Sequence, residues 1–588
     1  MKPITSFFLT SNILLGLTFT QPAFCEQVTD AIAPELATGT QQVSEVTGKK
    51  WMVSAANPYA SRAGAAILDA GGNAIDAMVT VQTVLGLVEP QSSGIGGGAL
   101  LVYWDNKANR LTTFDGRETA PLAATPRLFQ LDDGNKMRFY DAVVGGRSVG
   151  VPGTLKLLHD THKKYGKLSW EQVLEPAISL AEKGFIVSPR LAKLVAGDAE
   201  KLKRFESTAA YFFDTDGAPL KAGDMKKNPD YAQTLKLVSE NIDHFYQGKI
   251  ADDIVKTVQQ APGNPGVLSK EDMSIYRVKE REPVCSAYHS YQVCGMGPPT
   301  SGGITVGQIL GMLSHYPLSS MGKDAVQSWR LIGDASRLAF SDRGRYVADS
   351  DFVPVPVEGL LAPEYLKQRA SLLEGENALS SVSPGEPAFS HAIRLADDDA
   401  LELPSTSHFS IVDPDGNLVS ITTTIENGFG SRLMVRGFLL NNELTDFSFS
   451  SHKNGVPIAN RVEPGKRPRS SMSPTIVMHE GKPYLAIGSP GGSRIIGYVA
   501  KTLIAHLDWG LGIQQAIELP HLVNRFGTYD LEKGSTAESF KAPLEALGFK
   551  VNIRDLTSGI HAILIEKNGL RGGADPRREG IVLSDTSK

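Results

Sequence analysis

Apolar and polar positions recur with two different periods along the chain, and the change of period divides it. The stretch "KKWMVSAANPYASRAGAAILDAGGNAIDAMVTVQTVLGLVEP" predicts a strand, a helix stopped at Gly71-Gly72, and a second apolar helix from about Ala74 to Leu87. "GIGGGALLVYWD" then predicts a glycine-rich turn leading into a strand. From about Val151 to Ala370 the apolar spacing is near 3.6 residues, as in "SWEQVLEPAISLAEKG" and "DAVQSWRLIGDASRLAFSDRGRYV", so helices dominate. Past Pro404 the period falls to two. Strand, turn and strand lead to "GFLLNNELTDFS", a polar loop, and "KRPRSSMSPTIVMHEGKPYLAIGSPGGSRIIGYVAKTLIAHL", which ends in strand, Gly-Gly turn and helix. Between the two regimes, Ser380 to Pro404 is rich in Ser, Pro, Glu and Asp. It predicts an exposed, loosely held segment, with Asp397 to Asp399 a solvated loop.

The N-terminus changes this picture. Met1-Lys2, a mostly apolar run from Ile4 to Phe19, and "QPAFCEQ" have the shape of a secretory signal cut after Cys25, which predicts a periplasmic or secreted protein. Lipidation of Cys25 is disfavoured by Pro22, which stands where a lipoprotein signal has Leu. The two remaining cysteines, Cys285 and Cys294 in "VCSAYHSYQVC", predict a structural disulfide across a local hairpin. Composition adds exclusions. With 588 residues, 41% apolar and 21% charged, the chain is an ordinary globular protein, and a net charge of −5 carries no basic excess for nucleic acid or an anionic membrane. No stretch beyond the signal is apolar for long enough to insert stably in a membrane.

Candidate chemistry centres on "LPSTSHFSIVDPDGNLVSITTTIENGFG". If Asp413 to Asn417 is a five-residue loop, Val412 faces Leu418, Ser410 faces Ser420, His408 faces Thr422, and Thr406 faces Thr424. A cross-strand Thr pair is commonly structural. The alternative is chemical: cutting between Ser405 and Thr406 would free an α-amine on the same residue as a hydroxyl, giving nucleophile and base together. In "IGSPGGSRI", Gly491 and Gly492 sit where a strand turns into a helix, a position suited to oxyanion N–H donors or simply to a tight turn.

Rival motifs are weaker. "GRSVG" from Gly146 to Gly150 runs into Val-Pro-Gly instead of a helix, against a nucleophile elbow. His159 and His162 read as a surface pair rather than a metal site, and no His-Glu-x-x-His helix occurs.

"STSHFSIVDPDGNLVSITTTIE", "LLNNELTDFS", "KRPRSSMSPTIV" and "GSPGGSRII", preceded by "GGNAIDA", "PQSSGIGGG", "FDGRETAP", "VGVPG" and "PPTSGGI", closely resemble the γ-glutamyltranspeptidases, or glutathione hydrolases. The resemblance spans nearly the whole mature chain. It implies an α/β (α+β) N-terminal nucleophile hydrolase fold, a four-layer αββα sandwich made as a precursor that cuts itself before Thr406. The chain would divide into a signal (1–25), a large subunit (26–405) and a small subunit (406–588), the last two forming a heterodimer.

The resemblance further implies that Thr406 is the nucleophile, Thr424 its support, and Gly491 and Gly492 the oxyanion donors. Arg117, Ser470 and Ser471 would bind the substrate α-carboxylate. Glu443 and Asp446 would receive the α-ammonium, with Glu426 at a position that is Asn or Glu in the family. The donor would be glutathione or another γ-glutamyl compound, the acceptor water, an amino acid or a short peptide, with no metal or other cofactor. Cephalosporin or glutaryl acylases and poly-γ-glutamate processing enzymes are the related alternatives, and a non-catalytic exported binding protein is the distant one. Where some members carry a longer lid with a Tyr, this chain has "FSSHKNGVPIANRVEPG", which leaves the pocket more open.

Overall fold

The computed structural model describes residues 42–587 except 399, 401 and 404, so the signal segment and Cys25 lie outside the described residues. Two seven-stranded antiparallel sheets lie face to face. The first runs, edge to edge, Ile581–Ser584, Met52–Ala55, Thr406–Val412, Leu418–Thr424, Gly98–Asp105, Arg110–Gly116 and Lys279–Arg281. The second runs Val46–Gly48, Gly569–Ala574, His561–Glu566, Lys482–Gly488, Thr475–His479, Tyr291–Met296 and Pro283–Tyr288.

Side-chain alternation assigns the layers. Phe409, Ile411, Val419 and Ile421 of the first sheet share a core with helix Ala74–Val88, against which helices Pro58–Asp69 and Trp170–Lys183 pack. Val477, Leu485 and Ile487 of the second share a core with helices Gly302–Leu313 and Ile495–Leu507, and helix Val326–Tyr346 packs against the first of these. Between the sheets lie Met52, Val102, Trp104, Val412, Leu418, Ile476 and Ile563. The result is the expected helix, sheet, sheet, helix sandwich.

The two strands around the predicted turn are buried along their whole length, so both faces of the hairpin are core. Their register is the expected one, with Thr406 opposite Thr424 and Val412 opposite Leu418. Asp413 locks the turn. One of its oxygens accepts the N–H groups of Asp415 and Asn417, and the other accepts the N–H of Ala74, the first residue of helix Ala74–Val88. A turn carboxylate thus ties the hairpin to a helix N-terminus, where negative charge is favourable. Gly97 precedes the neighbouring strand, and a Cβ there would lie 2.0 Å from the Thr424 carbonyl oxygen, so only glycine lets the chain pass the end of the hairpin.

Two expectations are corrected. The end of the Ser380 to Pro404 segment is not loose: Leu395, Glu402, Leu403 and Ser405 are buried, and the Asp398 side chain is fully enclosed against Arg469. Charges in that segment meet fixed cations, which composition alone does not reveal. His162 is likewise no surface residue. It packs on Trp170 with its Nε2 3.2 Å from buried Asp76.

Cys285 and Cys294 face each other in the hairpin Pro283–Tyr288 and Tyr291–Met296 and form the disulfide. Closing so short a loop is worth roughly 2–3 kcal/mol through the unfolded chain. Replacing both by Ser is expected to lower the thermal unfolding midpoint without changing the far-ultraviolet spectrum. A midpoint equal to that of the wild type would show that the bridge adds no stability.

Candidate active site

Thr406 is the first residue of its strand, so its hydroxyl emerges where the sheet ends. Thr406 Oγ1 donates to Thr424 Oγ1 at 3.3 Å. Thr424 Oγ1 in turn donates to the Ser405 carbonyl oxygen at 3.0 Å and accepts the Glu426 N–H at 2.8 Å. One hydroxyl therefore supports the Thr406 oxygen and polarises the carbonyl that precedes it. The Ser405 hydroxyl is tied to the Gln91 carbonyl, and Arg578 donates to the Thr406 carbonyl at 2.8 Å. The Ser405 carbonyl is thus held by Thr424, and the residues on either side of that peptide are tied down by Gln91 and Arg578.

A pocket opens beside this pair, lined by Arg117, Glu402, Leu403, Thr406, Thr424, Glu426, Glu443, Asp446, Ser470, Ser471, Met472, Gly492 and Ile495. Arg117 lies just past strand Arg110–Gly116, with its N–H capped by Asp115. Its guanidinium donates to Glu443, to Asp446 at 2.5 Å, and to the carbonyls of Pro468 and Arg469. Both acids stand on the short turn Glu443–Asp446, placed by Asn441, whose side chain accepts the N–H groups of Gly150 and Glu443. Asn442 donates to Glu426 at 2.5 Å, and Asn460 donates to the Asp446 carbonyl.

Electrostatics follow from burial. Burial raises the carboxyls of Glu443 and Asp446 despite the pull of Arg117. Burial, then the charge of Glu443, pushes Glu426 up to about 8. Burial opposes the charge of Arg117, but the acids around it outweigh that and hold it firmly cationic. Glu426 has a backbone φ of 74°, the left-handed region that a residue with a Cβ occupies at a cost of about 1–3 kcal/mol. The strain lies within the pocket wall.

Most of the site residues expected from the sequence meet here. Ser470 and Ser471 are buried in the pocket wall; the Ser471 hydroxyl accepts from Arg343 at 2.8 Å. Gly492 also lines the pocket, and a Cβ there would press on the carbonyls of Glu402 and Leu403. Gly491, with φ 140°, is set back against the Tyr498 ring. The two glycines open a short 3-10 turn, Gly492–Arg494, which precedes helix Ile495–Leu507.

The sequence reading missed Glu118, whose carboxylate lies 3.9 Å from the Arg117 guanidinium, and Glu402, Arg343, Arg469 and Asn460. Glu118 and Arg469 stand next to residues it chose, in "GRE" and "PRSS". Arg343 lies far from the chosen motifs, Glu402 in the segment expected to be solvated, and Asn460 in the shortened lid stretch. Ser148 of the rejected "GRSVG" motif is buried and donates to the Val143 carbonyl. Among the described residues no cluster of His, Cys, Asp or Glu is placed to hold a metal ion, and no helix is long and apolar enough to cross a membrane.

Comparison with known proteins agrees with this geometry. The γ-glutamyltranspeptidase family model matches residues 60–584. The glutathione hydrolase proenzyme of Bacillus subtilis is 38% identical over 550 residues, covering 91% of this chain and 92% of the relative. The proenzyme of the same description from Escherichia coli is 36% identical over 564 residues, covering 93% and 94%. Among solved structures, a cephalosporin acylase from Bacillus halodurans superposes with a TM-score of 0.81 at 28% identity, covering 94% of this chain and 99% of that one. With its motifs in order, its fold matched over nearly the full length and its pocket assembled from those motifs, the chain belongs to the γ-glutamyltranspeptidase family.

Proposed function

We propose that this protein is an autoprocessed γ-glutamyltransferase that cleaves the γ-glutamyl amide of glutathione and related compounds and passes the acyl group to water or to an amine. The observation that carries the reading is a single pocket in which Thr406, backed by Thr424, faces Arg117 flanked by Glu443 and Asp446. A γ-glutamyl group ends in an α-carboxylate and an α-ammonium. Arg117, Ser470 and Ser471 suit the first; Glu426, Glu443 and Asp446 suit the second.

Maturation begins with Thr406 Oγ attacking the Ser405 carbonyl carbon, whose oxygen Thr424 already polarises. The acyl group moves from nitrogen to oxygen, and water then hydrolyses the ester. This leaves a large subunit ending at Ser405 and a small subunit beginning with the free amine of Thr406. Such amines titrate near 7.7–8.0, so this one serves as base for its own hydroxyl. In turnover Thr406 Oγ attacks the γ-carbonyl, and Gly491 and Gly492 N–H groups receive the oxyanion. The amine returns the proton to the departing nitrogen, and water or an acceptor amine releases the acyl group. The export signal supports a periplasmic or secreted location, and the peptide cut supports a two-subunit heterodimer.

The acylase likeness offers a second reading, but Glu426, Glu443 and Asp446 in the pocket wall favour a donor with an ammonium over a glutaryl group, which has none.

Thr406→Ala is expected to remain one uncut, inactive chain, while wild type yields two fragments, the smaller beginning at Thr406 by N-terminal sequencing. Two fragments from the variant would refute the mechanism. γ-Glutamyl-p-nitroanilide is expected to be turned over about 10- to 100-fold faster than glutaryl-p-nitroanilide, the factor for losing a charged hydrogen-bonding group. Equal rates would favour the acylase. An ammonium needs ionised Glu426, so below about pH 8 its binding must expel a proton. KM for γ-glutamyl donors is therefore expected to fall as pH rises from about 6 to about 8, by up to about tenfold per unit. In Glu426→Gln this slope is expected to flatten; an unchanged slope assigns the titration to the other raised carboxyls, Glu443 and Asp446.

A further inference from the structure

Beside the pocket two guanidiniums lie together. Arg343, on helix Val326–Tyr346, donates through Nε to the Ser301 hydroxyl at 2.8 Å and through its terminal nitrogen to Ser471 and to the Glu402 carboxylate. Arg469 has its Nε 3.6 Å from the same Glu402 oxygen and a terminal nitrogen 2.8 Å from Asp398. All four side chains are buried. Burial, and then the neighbouring Arg469, depress Arg343 to about 10. Two buried cations are balanced by two buried anions.

Both anions come from the segment just before the Ser405–Thr406 bond. Glu402 lies four residues ahead of Thr406, and its carbonyl accepts the Ser493 N–H at 3.3 Å. The Leu403 N–H is held by Glu426 at 3.0 Å, so this segment fills the pocket that a substrate must enter. After the cut, substrate entry requires Glu402 and Leu403 to leave. Asp398 has further ties, accepting from Asn460 and donating its N–H to the Gly344 carbonyl. With Asp398 retained and Glu402 gone, one buried positive charge beside Ser471 is uncompensated, a state that strongly favours capture of another anion.

We propose that Arg343 and Arg469 form a second carboxylate site of the processed enzyme, filled by Glu402 in the uncut chain and by a substrate carboxylate afterwards. The proposal rests on the γ-glutamyl reading for its substrate. That carboxylate has two sources: the donor's own α-carboxylate, or one carried on the amine side, as in the peptide released from glutathione.

The test uses processed wild-type protein and the synthetic octapeptide of residues 398–405. The peptide is expected to compete with γ-glutamyl-p-nitroanilide, and its Glu→Gln version to inhibit at least about tenfold less. Against Arg469→Gln the two peptides are expected to inhibit alike. Equal inhibition of wild type by both peptides, or inhibition by neither, overturns the site. Calorimetric titration of the same peptides reads the site without turnover, so a chain that binds them yet lacks γ-glutamyl activity refutes the proposed function alone. A KM rise in Arg469→Gln for glutathione but not for γ-glutamyl-p-nitroanilide assigns the site to the amine side. An equal rise assigns it to the α-carboxylate, and no rise in either overturns its use by substrate. Should that variant remain uncut, the wild-type peptide comparison decides.

Discussion

The hydrogen-bonded register between strands Thr406–Val412 and Leu418–Thr424 is the constraint on which the site depends. A slip of one residue would turn every side chain to the opposite face of the sheet. Thr406 and Thr424 would part, and Phe409 and Ile411 would leave the helix layer for the space between the sheets. Because both faces of the hairpin are core, the hydrophobic effect penalises that slip on two sides at once. The chemical pair is thereby positioned by packing energy far larger than its own single hydrogen bond. Asp413 at the turn and Gly97 beside Thr424 fix the two ends of the same register.

Charge is handled by the opposite logic. The pocket buries many ionisable groups, which is tolerable only where each has a partner of opposite sign. Arg117 serves Glu443 and Asp446, while Arg343 and Arg469 serve Glu402 and Asp398. The first set joins the end of strand Arg110–Gly116 to the turn Glu443–Asp446. The second set pairs fixed arginines with the segment just before the Ser405–Thr406 bond, the cut proposed above. The proposed cut would therefore change the electrostatics of the pocket as well as its shape, in a site where burial already raises the carboxyls of Glu426, Glu443 and Asp446.

Much of this was legible in advance because it is local. The Asp-Pro-Asp-Gly-Asn turn and the period-two flanks were enough for the register, and the cysteine spacing for the hairpin disulfide. The helix Pro58–Asp69 ends just before the Gly71-Gly72 stop, and the next begins at Ala74 as expected. Arg117, Glu443, Asp446, Ser470 and Ser471 were found through family motifs and do converge on one pocket. Glu402 and Asp398 were misread because an acidic, proline-containing stretch has the composition of solvated loop. Only knowledge of Arg343 and Arg469 across the fold identifies it as buried.

By itself, then, the sequence determined the elements, the hairpin register and the family to which the motifs belong, since these follow from near-neighbour periodicity and residue type. Tertiary structure alone decided which distant charges meet: that Arg117 lies between two acids more than three hundred residues away, and that the segment before Thr406 fills the pocket it precedes. The physical reason is that ion pairing and burial depend on distance in space and on the loss of water, and neither is encoded in any local pattern of the chain.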